Sequence, residues 1–85
     1  KPVIIMGDFN SDWFADEKVV RTLAEGFGLQ AYRPEAADLG TYNSSGRRLD
    51  WILISEELEF TDYRVLPYML SDHLAILAII SLRRH

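Results

Sequence analysis

Leu49-Asp50-Trp51-Ile52-Leu53-Ile54 decides the fold. Successive side chains of a strand point to opposite faces. Here both faces are apolar except at Asp50, which shares a face with Ile52 and Ile54. Such a strand belongs inside a layered domain, covered on both sides. Upstream, Val3-Ile4-Ile5-Met6 is a second short apolar run, stopped by Gly7, and it too fits a strand buried on both faces. Downstream, Leu74 to Leu82 is a longer, isoleucine-rich run and again strand-like. Phe60 to Leu66 alternates loosely, and Pro67 is expected to end it. Val19, Val20, Leu23, Ala24 and Phe27 recur with the spacing of one helical face. Asp16 is the expected N-cap of that helix, and Gly26 and Gly28 its terminators. Residues 29 to 40 read as loop. Thr41-Tyr42 suits the start of a hairpin that turns at Asn43-Ser44-Ser45-Gly46.

The expected fold class is α/β (α+β), in the order β-α-β-β-β, with one helix packed on a mainly antiparallel sheet. One helix cannot cover both faces of that sheet, so an apolar face is expected to need a partner that this chain lacks. With 85 residues the chain is one small domain, and nothing marks an internal boundary between residues 1 and 85. It enters a strand within two residues and lacks an initial Met, so it reads as a piece of something longer.

Composition narrows the function. Lys and Arg number 9 against 13 Asp and Glu, giving a net charge of −4. That argues against a free-standing basic nucleic-acid module. It leaves a phosphoester substrate open if metal ions supply the positive charge. The absence of cysteine excludes disulfides, Cys-ligated zinc and thiol nucleophiles. No apolar run approaches the ~18 residues of a membrane span. No export or anchor signal is visible, which leaves the compartment open with the cytoplasm favoured.

Polar residues interrupt the apolar strands at three places. Asp8 and Asn10 follow the first run, Asp50 opens the central strand, and Ser71-Asp72-His73 precedes the last. Each alone has a plainer reading: a Gly-Asp-Phe-Asn turn, a paired sheet-edge carboxylate, a turn with a satisfied histidine. Together they weigh differently. Carboxylates are rarely buried without a partner, and three at neighbouring strand ends repel one another unless a cation holds them. Oxygen donors without cysteine favour Mg²⁺ or Mn²⁺ over zinc. A histidine beside a carboxylate is oriented and exchanges protons near neutral pH. That set suits attack of water on a phosphoester.

In their order and spacing, Gly7-Asp8-Phe9-Asn10, Arg48-Leu49-Asp50-Trp51-Ile52 and Ser71-Asp72-His73 resemble the endonuclease/exonuclease/phosphatase superfamily. The resemblance runs from about Pro2 to Leu82. It implies a four-layer α/β sandwich built from two similar halves, of which this chain is the C-terminal part. The family's upstream metal-binding Glu, early Asn and mid-domain Tyr or His match no position here. By resemblance, Asp8 orients or deprotonates the attacking water and contributes to the metal site. Asn10 binds the scissile phosphate, Asp50 orients the catalytic histidine, Asp72 is a metal ligand, and His73 contacts phosphate and exchanges a proton. Trp51 stands where many members carry another aromatic residue. Ser71 is expected to shape the turn. Arg47 and Arg48 read as a solvated hairpin arm, with Arg48 the candidate phosphate contact. Arg83-Arg84-His85 reads as a frayed terminus.

Two functions follow as expectations. One is a Mg²⁺- or Mn²⁺-dependent phosphoesterase acting on nucleic acid, nucleotides, phosphorylated small molecules or lipid head groups. The other is a non-catalytic half-domain that associates through its bare sheet face, with a second copy or a missing N-terminal half as partner.

Overall fold

In the computed structural model, which describes residues 1–9, 13, 19–36, 38–42, 46–69 and 73–83, the central strand lies where its pattern demands. β3 (Asp50–Ser55) is the middle of a three-stranded antiparallel sheet. On one side it pairs with β1 (Ile4–Asp8), with Ile4 opposite Ile54 and Asp8 opposite Asp50. On the other it pairs with β2 (Leu29–Ala31), from Leu29 opposite Ser55 to Ala31 opposite Leu53. A second, two-stranded antiparallel sheet is formed by β4 (Leu58–Met69) and β5 (Leu74–Leu82). The helix α1 (Val19–Phe27) lies between β1 and β2 in sequence.

The two faces of β3 bury two separate cores. Trp51 and Leu53 point to one face and pack with Val20, Ala24 and Leu29, joined by Ile5 and Leu23. Ile52 and Ile54 point to the other and meet Leu58 and Tyr63, with Val65, Ile76, Ala78 and Ile80 behind them. The order of layers is therefore helix, three-stranded sheet, two-stranded sheet, so over β3 the face expected to need an outside partner is covered by the chain's own β4 and β5. Leu53 and Ile54 are fully buried, and each stabilises the fold by about 1.5–3 kcal/mol relative to exposure. The α+β class and antiparallel pairing agree with the sequence reading; the resulting arrangement is consistent with a fragment of an α/β sandwich.

Several local expectations need correction. Leu29–Ala31 is a strand, not loop; its three residues are too few to display alternation. β1 is not buried on both faces. It is an edge strand, and Ile4 and Met6 are exposed on the same face where Ile54 and Ile52 of β3 are covered. The second sheet thus reaches over β3 and stops short of β1. Pro67 does not end its strand: β4 continues to Met69 through a shift in pairing between Val65 and Met69. A proline, lacking an N–H, is tolerated where the ladder is interrupted in this way. On α1, Val20 and Ala24 are buried, but Val19 and Phe27 overhang into solvent. Gly26 lies inside α1 and does not end it; Gly28, with φ +65°, does so in the left-handed conformation that glycine favours. Arg83 is held rather than frayed, donating to the Glu56 and Leu58 carbonyls. Asp16, Arg84 and His85 lie outside the described residues. No helix among the described residues is long and apolar enough to cross a membrane.

Candidate functional site

Antiparallel register brings the first two acidic residues together. Asp8 ends β1 and Asp50 begins β3, directly opposite one another and on one sheet face. That face looks toward the second sheet, where His73 immediately precedes β5. The site therefore sits at the place where the ends of the two sheets meet.

His73 lies between the two carboxylates. Its Nδ1 is 2.5 Å from Asp50 Oδ2, and its Nε2 is 3.6 Å from Asp8 Oδ2. A carboxylate only accepts, so the hydrogen bond to Asp50 assigns the donor role to Nδ1–H. This fixes the ring and leaves Nε2 facing Asp8. The Asp50 and His73 side chains are each about three-quarters buried, whereas that of Asp8 is 48% exposed. The Tyr42 ring meets the imidazole edge-on, with centroids 5.3 Å apart. A groove of about 230 Å³ opens beside Asp50, lined otherwise by apolar side chains such as Met6, Ile52, Leu74 and Ile76.

Like charges directly opposite on neighbouring strands destabilise a sheet. Here the imidazole lies between them, and the same set is suited to a cation. Asp8, Asp50 and His73 each offer a ligand atom, all within 4.8 Å of one another. Two of the three donors are carboxylate oxygens, and the outer one is half exposed, so the chemistry fits a hard divalent ion. Asp50 is already engaged by Nδ1 at 2.5 Å, which makes Asp8 the better placed of the two carboxylates to face such an ion.

Of the sequence-designated residues, the structure thus brings together Asp8, Asp50 and His73. Asn10, Ser71 and Asp72 lie outside the described residues. Arg48 is placed differently from the expected solvated arm. It is 6% exposed, with Nη1 and Nη2 donating to the carbonyls of Arg33 and Tyr32 at 2.8 and 2.6 Å. Its guanidinium also lies 4.0 Å from the centroid of Trp51, whose indole N–H donates to the Arg48 carbonyl. The partner of the expected arm, Arg47, is exposed. The residues that the sequence reading passed over are Thr41 and Tyr42, taken there only as the start of a hairpin. A single threonine in a polar stretch carries no periodic signal.

A model of the endonuclease/exonuclease/phosphatase family matches residues 1–73 of the 85. No curated protein and no solved structure matches the chain. The match covers the strands bearing Asp8 and Asp50 and reaches His73. With most of its length so matched, and with these three side chains drawn to one point, the chain belongs to the endonuclease/exonuclease/phosphatase family.

Proposed function

We propose that this chain is the C-terminal portion of a domain that hydrolyses phosphoester bonds with activated water. The single observation that carries the reading is the placement of His73, one ring nitrogen on Asp50 and the other turned to Asp8. In this reading, Asp8 orients the attacking water and draws on its proton. Asp50 holds the Nδ1 proton, steadies the ring and stabilises its positive charge. His73 Nε2 meets the phosphate and exchanges a proton with it or with the departing oxygen. Asn10 hydrogen-bonds the phosphate as charge develops on it, and Asp72 joins Asp8 as an ion ligand. Bound there, Mg²⁺ or Mn²⁺ would offset charge on the phosphate and ease ionisation of water.

The test is hydrolysis of plasmid DNA and of a generic phosphodiester by the chain and by its full-length parent, with Mg²⁺ and with EDTA. Metal-dependent cleavage should fall about 10²–10⁴-fold in His73→Ala, the usual weight of a general acid or base. Cleavage unaffected by His73→Ala or by EDTA would overturn the proposal.

A second reading is favoured by the exposed apolar side chains of Ile4 and Met6 on β1 and of Leu77 and Ile79 on β5. In it, these residues are an association surface, and the chain by itself is a pairing half-domain. The two readings are compatible, one concerning the parent and the other the isolated chain.

A further inference from the structure

The Asp50–His73 pair joins the first residue of β3 to the residue just before β5, and a 2.5 Å hydrogen bond between them requires the two sheets to keep a fixed spacing there. Thr41 stands where that spacing is set. It is fully buried. Its Oγ1 accepts the backbone N–H groups of both Leu49 and Asp50, at 3.0 and 3.1 Å. Its carbonyl accepts the N–H of Leu74, the residue after His73, at 2.7 Å. Tyr42 then forms an isolated antiparallel bridge with His73 itself.

The reason for the hydroxyl lies in the sheet. β2 accompanies β3 only as far as Leu53, so the backbone at Leu49 and Asp50 lies beyond the end of that ladder. A buried N–H without an acceptor is costly, and Thr41 Oγ1 supplies the acceptor for both of these. Thr41 is in turn anchored on Arg47, because its N–H and that of Tyr42 both donate to the Arg47 carbonyl. Gly40 permits this closure: a Cβ there would run into the Gly46 carbonyl oxygen.

We infer that Thr41 is a positioning residue, a buried clamp whose hydroxyl holds Asp50 and whose carbonyl holds the segment bearing His73. Its catalytic meaning rests on the proposed role of the Asp50–His73 pair, but the clamp has a readout of its own. The experiment is NMR of the 85-residue chain, following the His73 Nδ1 proton and the exchange of the Leu49, Asp50 and Leu74 amides. Thr41→Ser keeps the hydroxyl, whereas Thr41→Val keeps the shape and removes it. Wild type and Thr41→Ser should show a protected, far-downfield Nδ1 proton and slow exchange at all three amides. Thr41→Val should lose that proton signal, and its Leu49 and Asp50 amides should exchange at least about tenfold faster. An unchanged Nδ1 proton in a folded Thr41→Val chain overturns the clamp. If Thr41→Val does not fold, the other two proteins decide. Rapid exchange at Leu49 and Asp50 beside an intact Nδ1 proton overturns it, and protection of all three amides supports it. None of these outcomes depends on hydrolysis, so failure of the clamp and failure of the proposed activity remain distinct.

Discussion

Asp50 and Arg48 are two residues apart and are both charged, yet they face different tasks. Asp50 holds a ring nitrogen, and its replacement should be felt in the chemistry. Asp50→Asn keeps the shape but removes the charge that fixes the imidazole tautomer and stabilises its cation. In an active preparation, kcat should fall about 10²–10⁴-fold while KM changes little. An equal rise in KM with kcat intact would mean that Asp50 serves substrate binding instead. Arg48 donates to two backbone carbonyls and covers Trp51, so its replacement should be felt in stability. Arg48→Met should cost about 2–4 kcal/mol, from lost charge-assisted hydrogen bonds and cation–π contact. In a domain of this size that lowers Tm by about 10 °C or more. An unchanged Tm with a raised KM would instead assign the guanidinium to substrate phosphate. Asp8, Asp50 and His73 were legible as polar interruptions at the ends of apolar runs. Arg48 was not legible, because a charge beside a turn normally faces water. Nothing in the string of letters shows that Trp51 lies under its guanidinium, or that the carbonyls of residues 32 and 33 reach it.

Elements were legible in proportion to their length and regularity. β3, β5 and α1 carry enough apolar residues for their period to show, whereas β2 spans three residues and is defined by its pairing with β3. The course of β4 past Pro67 was hidden for a related reason. A proline rules out a regular ladder, but the skipped pairing that accommodates it shows only when β4 is set against β5. The end of α1 at Gly28 is a point where sequence and structure agree, and it makes a clean test. Gly28 has φ +65°, and a Cβ there would touch no atom within 4 Å. The cost of Gly28→Ala is therefore conformational alone, about 1–2 kcal/mol for an L-residue in the left-handed region. Chemical denaturation should show that loss with an unchanged m-value. A D-alanine at the same position, accessible by synthesis at this length, should be at least neutral. A penalty shared by both enantiomers would point to an unseen steric contact in place of backbone strain.

At the scale of the whole molecule, the edges of the second sheet are unequal. β4 bears Glu59, Asp62 and Arg64 along with Pro67 and two breaks in register, all features that discourage strand addition. β5 reads LAILAIISL, nine residues without charge or proline, and it turns Leu77 and Ile79 outward to solvent. In the other sheet, β1 leaves Ile4 and Met6 exposed, and Met6 lines the groove at Asp50. An uncharged edge strand and an uncovered sheet face are both places where chains associate. The association reading therefore predicts that sedimentation coefficients of the isolated chain rise with concentration. Ile79→Lys charges the outer face of β5, and Met6→Lys charges the uncovered face of β1; both residues are more than half exposed, so neither change should unfold the chain. If β5 is the contact, Ile79→Lys alone restores the monomer. If the uncovered β1 face is the contact, Met6→Lys does so instead. The second result would also place the partner against the groove that borders Asp50. Hydrolysis and association would then share one surface, and Met6→Lys would lower any activity of the isolated chain in step with the loss of assembly. A monomer at every concentration in the unsubstituted chain would remove the association reading and leave that of a phosphoesterase portion standing alone.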